Sequence, residues 1–439
     1  MYKNKIKIKN ILFFKKEMKI ILIKLILFFT FIKYSIQTYI VYPFRKSTKE
    51  KKPYPENLLQ NDLEITLEIG TPPQSIDLNL RSKVYAFHVA SSELNLPFPT
   101  YNSKLSTSYF KLSKSESNFQ NQEYEKGFKI YETLTINQKE VKNITLVLAT
   151  KIIYNQAGAL GLRLLKSHEF GGNLSFIYQV KAAANLDNYA FTLRYDNDET
   201  GELTIGSYPH LYNKDYNAKN FYISRARDLG ANIDWVLDFD AIRYNNKTIS
   251  GIKTKSLIQI EFGLILAPNN LKKYFNDNFF LDKCKEEIYD KRNITIIHCD
   301  KNLDITQFKN LSFILKDIDY EFVLTYNDLF VEENNEYIFG IVFDNRFTTT
   351  ETCWILGKPF MKKYELVYDL DRKIIGLYKD KKDSGKNGKF KFNIYIFMLI
   401  ILVLVVIGLG VYIIYYLKKP RKSRAFELDD DNFDYSPSK

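Results

Sequence analysis

Cysteine and histidine are scarce in this sequence: three Cys and four His among 439 residues. Cys284, Cys299 and Cys353 are too few to staple a small disulfide scaffold, and their spacing is not that of a zinc site. His88, His168, His210 and His298 are scattered, so no metal ligand set is legible and no cofactor is expected. A basic body is also missing, despite a net charge of +12. Residues 1–52 carry 14 Lys/Arg against two acids, and residues 391–439 carry seven bases against five acids. That leaves a net of −2 for residues 53–390, which gives a nucleic-acid-binding face little support. What is present in quantity is apolar material: 45% hydrophobic and 15% aromatic residues, ample for a packed core.

The apolar runs lie at the ends. From Met18, a lysine is followed by an apolar stretch interrupted by Lys24 and closed by Lys33. This reads as a signal peptide within residues 1–38 with an extended basic start, or as translation beginning at Met18. An uncleaved amino-terminal anchor is the alternative. Residues 394–417 hold 24 consecutive uncharged residues. As a helix they would span roughly 36 Å, enough for a bilayer core of about 30 Å. Lys418, Lys419, Arg421, Lys422 and Arg424 follow at once and mark a cytoplasmic flank. The expectation is a single-pass type I membrane protein of the secretory pathway, with tail 418–439 in the cytoplasm. Five Asn-X-Ser/Thr sequons, at Asn143, Asn173, Asn246, Asn293 and Asn310, all fall in the part this topology places outside the cytosol.

Between about 60 and 380 the pattern is that of short strands. Leu63–Ile69 alternates apolar and polar residues with period two, then breaks at Gly70 and Pro72. Phe128–Ile136, Phe191–Tyr195, Leu203–Ile205, Trp235–Ile242, Phe322–Thr325 and Glu365–Leu370 read similarly. Helices are expected near Phe176–Ala184, Asn269–Asn278 and Leu281–Tyr289. The pattern alone reaches an all-β body and stops there.

Specific motifs go further. Ile65–Ser91 (ITLEIGTPPQSIDLNLRSKVYAFHVAS) resembles the amino-terminal lobe of the pepsin-like aspartic proteases, where I-G-T-P-P-Q leads into D-T-G-S-S-N-L-W-V-P-S. Ala157–Leu162, Phe191–Gly206, Trp235–Ile242 and Trp354–Tyr378 resemble four further segments of that family, in the same order. The resemblance implies a bilobal all-β fold, two barrel-like lobes around a cleft: residues 61–224 and 225–380. Residues 39–60 are a short pro-like linker and 381–393 a linker to the membrane span.

The family's chemistry needs one aspartate from each lobe, sharing a proton and a water. Gapless alignment puts Arg81 at the first aspartate, Ser82 at its threonine and Lys83 at its glycine. The second motif, aligned to end on Pro268, puts Gln259 at the other aspartate; a two-residue slide would put Glu261 there. Arg81 stays protonated and offers only donors, so the first site has no base. Gln120 falls where the family's flap tyrosine belongs, with Tyr124 close by. Glu64, Glu68, Asp77, Asp238 and Asp240 read as solvated or strand-surface carboxylates. The resemblance also implies a disulfide between Cys284 and Cys299, leaving Cys353 either a buried thiol or an intermolecular partner. The functional expectation is a pseudoprotease binding peptide or protein in a cleft whose floor Arg81 and Lys83 make basic. The alternatives are an active aspartic endopeptidase with a noncanonical site and a structural surface glycoprotein.

Overall fold

The computed structural model describes residues 39–49, 52–113, 116–118, 124–153, 156–164, 174–226, 234–251, 253–281, 283–345 and 354–379. The expected signal segment (1–38) and the expected linker, membrane span and tail (381–439) lie outside them, as do Gln120, Asn173 and Cys353. Among the described residues no helix is long and apolar enough to cross a membrane.

Among the described residues strands dominate, in sheets of 14, nine and four strands. The 14-stranded sheet is built from the amino-terminal half together with Val367–Asp369 and Ile374–Tyr378, which pair with Ala190–Tyr195 and Phe221–Arg225. Ile40–Lys46, in the segment expected as a pro-like linker, is a strand of the same sheet. It runs antiparallel to Thr200–Ile205 and touches Leu63–Ile69 at its end. The remaining sheets hold residues from Val236 to Leu356.

Leu63–Ile69 shows why the strands form where they do. Leu63, Ile65, Leu67 and Ile69 are all buried, while Thr66 between them is exposed, so one face joins the core. Fully burying each such side chain contributes about 1.5–3 kcal/mol. Gly70 ends the strand at φ +93°, a conformation that favours glycine. Phe176–Ala184 is a helix as expected, burying Phe176, Ile177 and Val180 and ending at Asn185 with φ 52°.

Two expectations need correction. Leu281–Tyr289 is not a helix: Cys284–Tyr289 is a strand paired with Ile294–Asp300. Its Lys and Glu residues favour helix weakly, but that preference yields to a ladder in which Cys284 lies opposite Cys299 and is bonded to it. The disulfide implied by the resemblance is therefore present. Trp235–Ile242 is also not one strand. It divides at Asp240 into Val236–Phe239 and Ala241–Tyr244, which belong to different sheets.

Candidate functional site

The site is made where two similar strand arrangements meet. In the first, Gln74–Arg81 runs parallel to Gly158–Gly161, so that Arg81, at its end, lies opposite Gly161. A Cβ on Gly161 would sit 2.6 Å from the Val84 carbonyl oxygen, because the chain leaving Arg81 folds back across that glycine. In the second, Thr254–Ile258 runs parallel to Trp354–Leu356, and the Gln259 N–H donates to the Leu356 carbonyl at 3.1 Å. Here a Cβ on Gly357 would sit 2.4 Å from the Phe262 carbonyl oxygen. Val84 is three residues past Arg81, and Phe262 is three past Gln259, the residue that follows Ile258. Arg81 and Gln259 thus hold equivalent places in two copies of one local architecture.

The two copies touch directly. Ser82 Oγ accepts from the Ile260 N–H at 3.1 Å. Ser82 donates from its backbone N–H (3.0 Å) and from Oγ (2.7 Å) to Glu261 Oε2. With its hydroxyl both donating and accepting, Ser82 joins the halves and is not poised as a nucleophile.

Arg81 is buried, 7% exposed, and its Nη2 lies 2.9 Å from Asp62 Oδ1. Of the two residues expected to make a basic floor, Lys83 is exposed, whereas Arg81 is withdrawn and paired. Lys52 also pairs with Asp62. Burial alone would raise the Asp62 carboxyl, but Arg81 and Lys52 outweigh it and hold it below the usual carboxylate range. Asn61 secures the same segment to the second copy, its Nδ2 donating to the Ile260 carbonyl at 2.8 Å. Nearby, Lys49 lies 3.1 Å from both Glu64 and Asp77, and Arg45 lies 2.9 Å from Asp77. Glu64, expected as a solvated or strand-surface carboxylate, is only 4% exposed because Lys49 and Ser47 satisfy it from the amino-terminal segment.

A hollow of about 270 Å³ opens beside the contact, lined by Ser82, Lys83, Arg163, Asp234, Leu257, Ile258 and Gln259. Arg163 Nε donates to Asp234 Oδ1 at 2.9 Å across its edge. Gln259 is 3% exposed, and its Oε1 is buried with no hydrogen-bond partner among the described residues.

Tyr124, the alternative flap residue, is fully buried with Ala86, Val147, Ala149 and Leu174, its ring centroid 4.5 Å from that of His88. His88 is fully buried too; burial, with Arg81 adding to it, lowers its pKa to about 3. Of the sequon asparagines, Asn143, Asn246, Asn293 and Asn310 are exposed, the first three at positive φ. Among the described residues no cluster of three His, Cys, Asp or Glu side chains is placed to hold a metal ion.

Sequence reasoning missed Asp62, Asn61, Arg163, Asp234 and His88. None carries a local signal, since each acts through a partner at least 10 positions away or through burial.

An all-β body with two equivalent strand-end crossings meeting at a cleft is the architecture of a pepsin-like domain. The model of the eukaryotic aspartyl protease family matches residues 64–379, and the chain belongs to that family. No curated protein matches it.

Proposed function

We propose that this chain is a pepsin-like protein that does not hydrolyse peptides and instead binds polypeptide in the cleft between its halves. The observation that carries the reading is the identity of the two equivalent strand-end residues, Arg81 and Gln259. In the family those places belong to the aspartate pair. The strand registers support pairing Gln259, not Glu261, with Arg81: Arg81 lies opposite Gly161, and Ile258 lies opposite Leu356, which brings the next residue, Gln259, level with Gly357. A guanidinium has no lone pair to take a proton from water, and a carboxamide is not a base at any working pH. Glu261 remains a carboxylate near the contact, but one of its oxygens is held by Ser82. A single carboxylate in that setting is not a proton-sharing pair.

The experiment is proteolysis by the purified full chain, acting on unfolded protein substrates across roughly pH 3–7, the range in which such a dyad titrates. We expect no cleavage that pepstatin suppresses. Pepstatin-sensitive cleavage would sink this reading and favour an active endopeptidase using Glu261.

The same reading includes a type I topology, with the body in the lumen or outside the cell, anchored through 394–417. Its support is the uncharged run with its basic flank, the exposed sequon asparagines, and a disulfide of the kind that persists in oxidising compartments.

A further inference from the structure

We infer that the hollow beside Gln259 selects extended polypeptide segments that carry an acidic side chain; this rests on the cleft-binding reading and names its ligand class. The hollow measures about 270 Å³, below the roughly 300–1,000 Å³ of small-molecule pockets. An occupant therefore extends beyond it, as a polypeptide lying along a cleft does.

Two features of the lining are unsatisfied in the protein alone. The first is Gln259, 97% buried at the edge of the hollow with an acceptor, Oε1, that no donor among the described residues reaches. An acceptor left so is costly; rotation of the amide toward the hollow would let it accept from the backbone N–H groups that an extended peptide presents at regular intervals. The second is Lys83, exposed and without an ion-pair partner among the described residues. Of the anions nearby, Asp234 accepts from Arg163 at 2.9 Å, and Glu261 has Oε2 occupied by Ser82 and Oε1 buried, away from an exposed ammonium. With Arg81 withdrawn onto Asp62, the ammonium of Lys83 is the charge left for a ligand. Leu257 and Ile258 line the hollow with apolar surface suited to the stem of a long side chain.

The test uses the purified full chain and pools of fluorescent random-sequence decapeptides, each pool fixed at its central residue as Asp, Asn or Lys. Anisotropy titration reads affinity, and mass spectrometry of the same samples reads cleavage. The Asp pool should bind roughly two- to fivefold more tightly than the Asn pool at low salt, the value of one exposed ion pair, and the gap should narrow as salt rises. Lys83→Gln, at an exposed position, should abolish that gap between the Asp and Asn pools. Gln259→Leu should weaken all three pools alike. Equal affinities for the three pools, or a preference that survives Lys83→Gln, would overturn the acidic selectivity. Unchanged binding by Gln259→Leu would overturn the amide contact. Binding of no pool would overturn the inference together with the cleft-binding reading. Cleavage would overturn only the non-hydrolysing part of that reading, because the charge preference is measured separately.

Discussion

Replacing Asp62 with Asn is the sharpest test of how this site is held together. The substitution preserves shape and removes the anion that pairs with Arg81 at 2.9 Å, where the two side chains are only 15% and 8% exposed. It leaves a buried guanidinium and the Lys52 ammonium without their shared counter-ion. Breaking a buried pair on one side costs about 3–5 kcal/mol. The Gln156 Oε1 atom, 3.4 Å from Arg81 Nη2, offers partial relief, so the lower end, about 3 kcal/mol, is expected. With an unfolding entropy of about 2 cal/mol/K per residue over residues 39–379, that corresponds to a melting point lower by about 4 °C. The double substitution Asp62→Asn with Arg81→Met should recover most of the loss, because it removes the stranded cation as well. The pH dependence follows from the depressed Asp62 carboxyl. Its stabilisation is fully present above the unfolded value near 3.9 and is lost as pH falls through the lower folded value. Wild type and Asp62→Asn should therefore differ at pH 7 and converge in strong acid. Thermal melts followed by circular dichroism decide the matter. A single variant melting within about 1 °C of wild type, or a double variant no more stable than the single, would refute the argument.

His88 makes a second prediction, of acid sensitivity. Its folded pKa of about 3 lies below the unfolded value near 6.5, so its stabilisation is complete above pH 6.5 and drains away as pH falls toward 3. At pH 5 the loss is on the order of 2 kcal/mol. Urea unfolding at pH 7.5 and pH 5 should show it, and His88→Leu should flatten the difference; an undiminished pH effect in that variant would place its cause elsewhere. For the proposed topology, the chain made in a eukaryotic secretory system should lose apparent mass on treatment with an N-glycosidase, as Asn143, Asn246, Asn293 and Asn310 are exposed. No mass change would count against a lumenal body.

The bilobal fold was legible because its signals are local and repeated. Period-two alternation marks Leu63–Ile69, and short motifs around Gly161 and Gly357 mark the turns where the chain crosses itself. Leu281–Tyr289 was misread because a charged run without strong alternation is settled by its pairing partner and a disulfide, both of which lie further along the chain.

The sequence by itself put Arg81 at the end of the first strand and left the second place between Gln259 and Glu261. It therefore determined that Arg81 brings a permanent cation to the first place. Only the tertiary structure decided what that cation does. Arg81 could have faced the cleft and made its floor basic; instead Asp62, 19 positions earlier, draws it into the body, and Lys83 is left facing outward. Residue type is a property of one position, whereas the direction of a charge depends on which counter-ion the fold brings within reach, and no spacing rule along the chain encodes that.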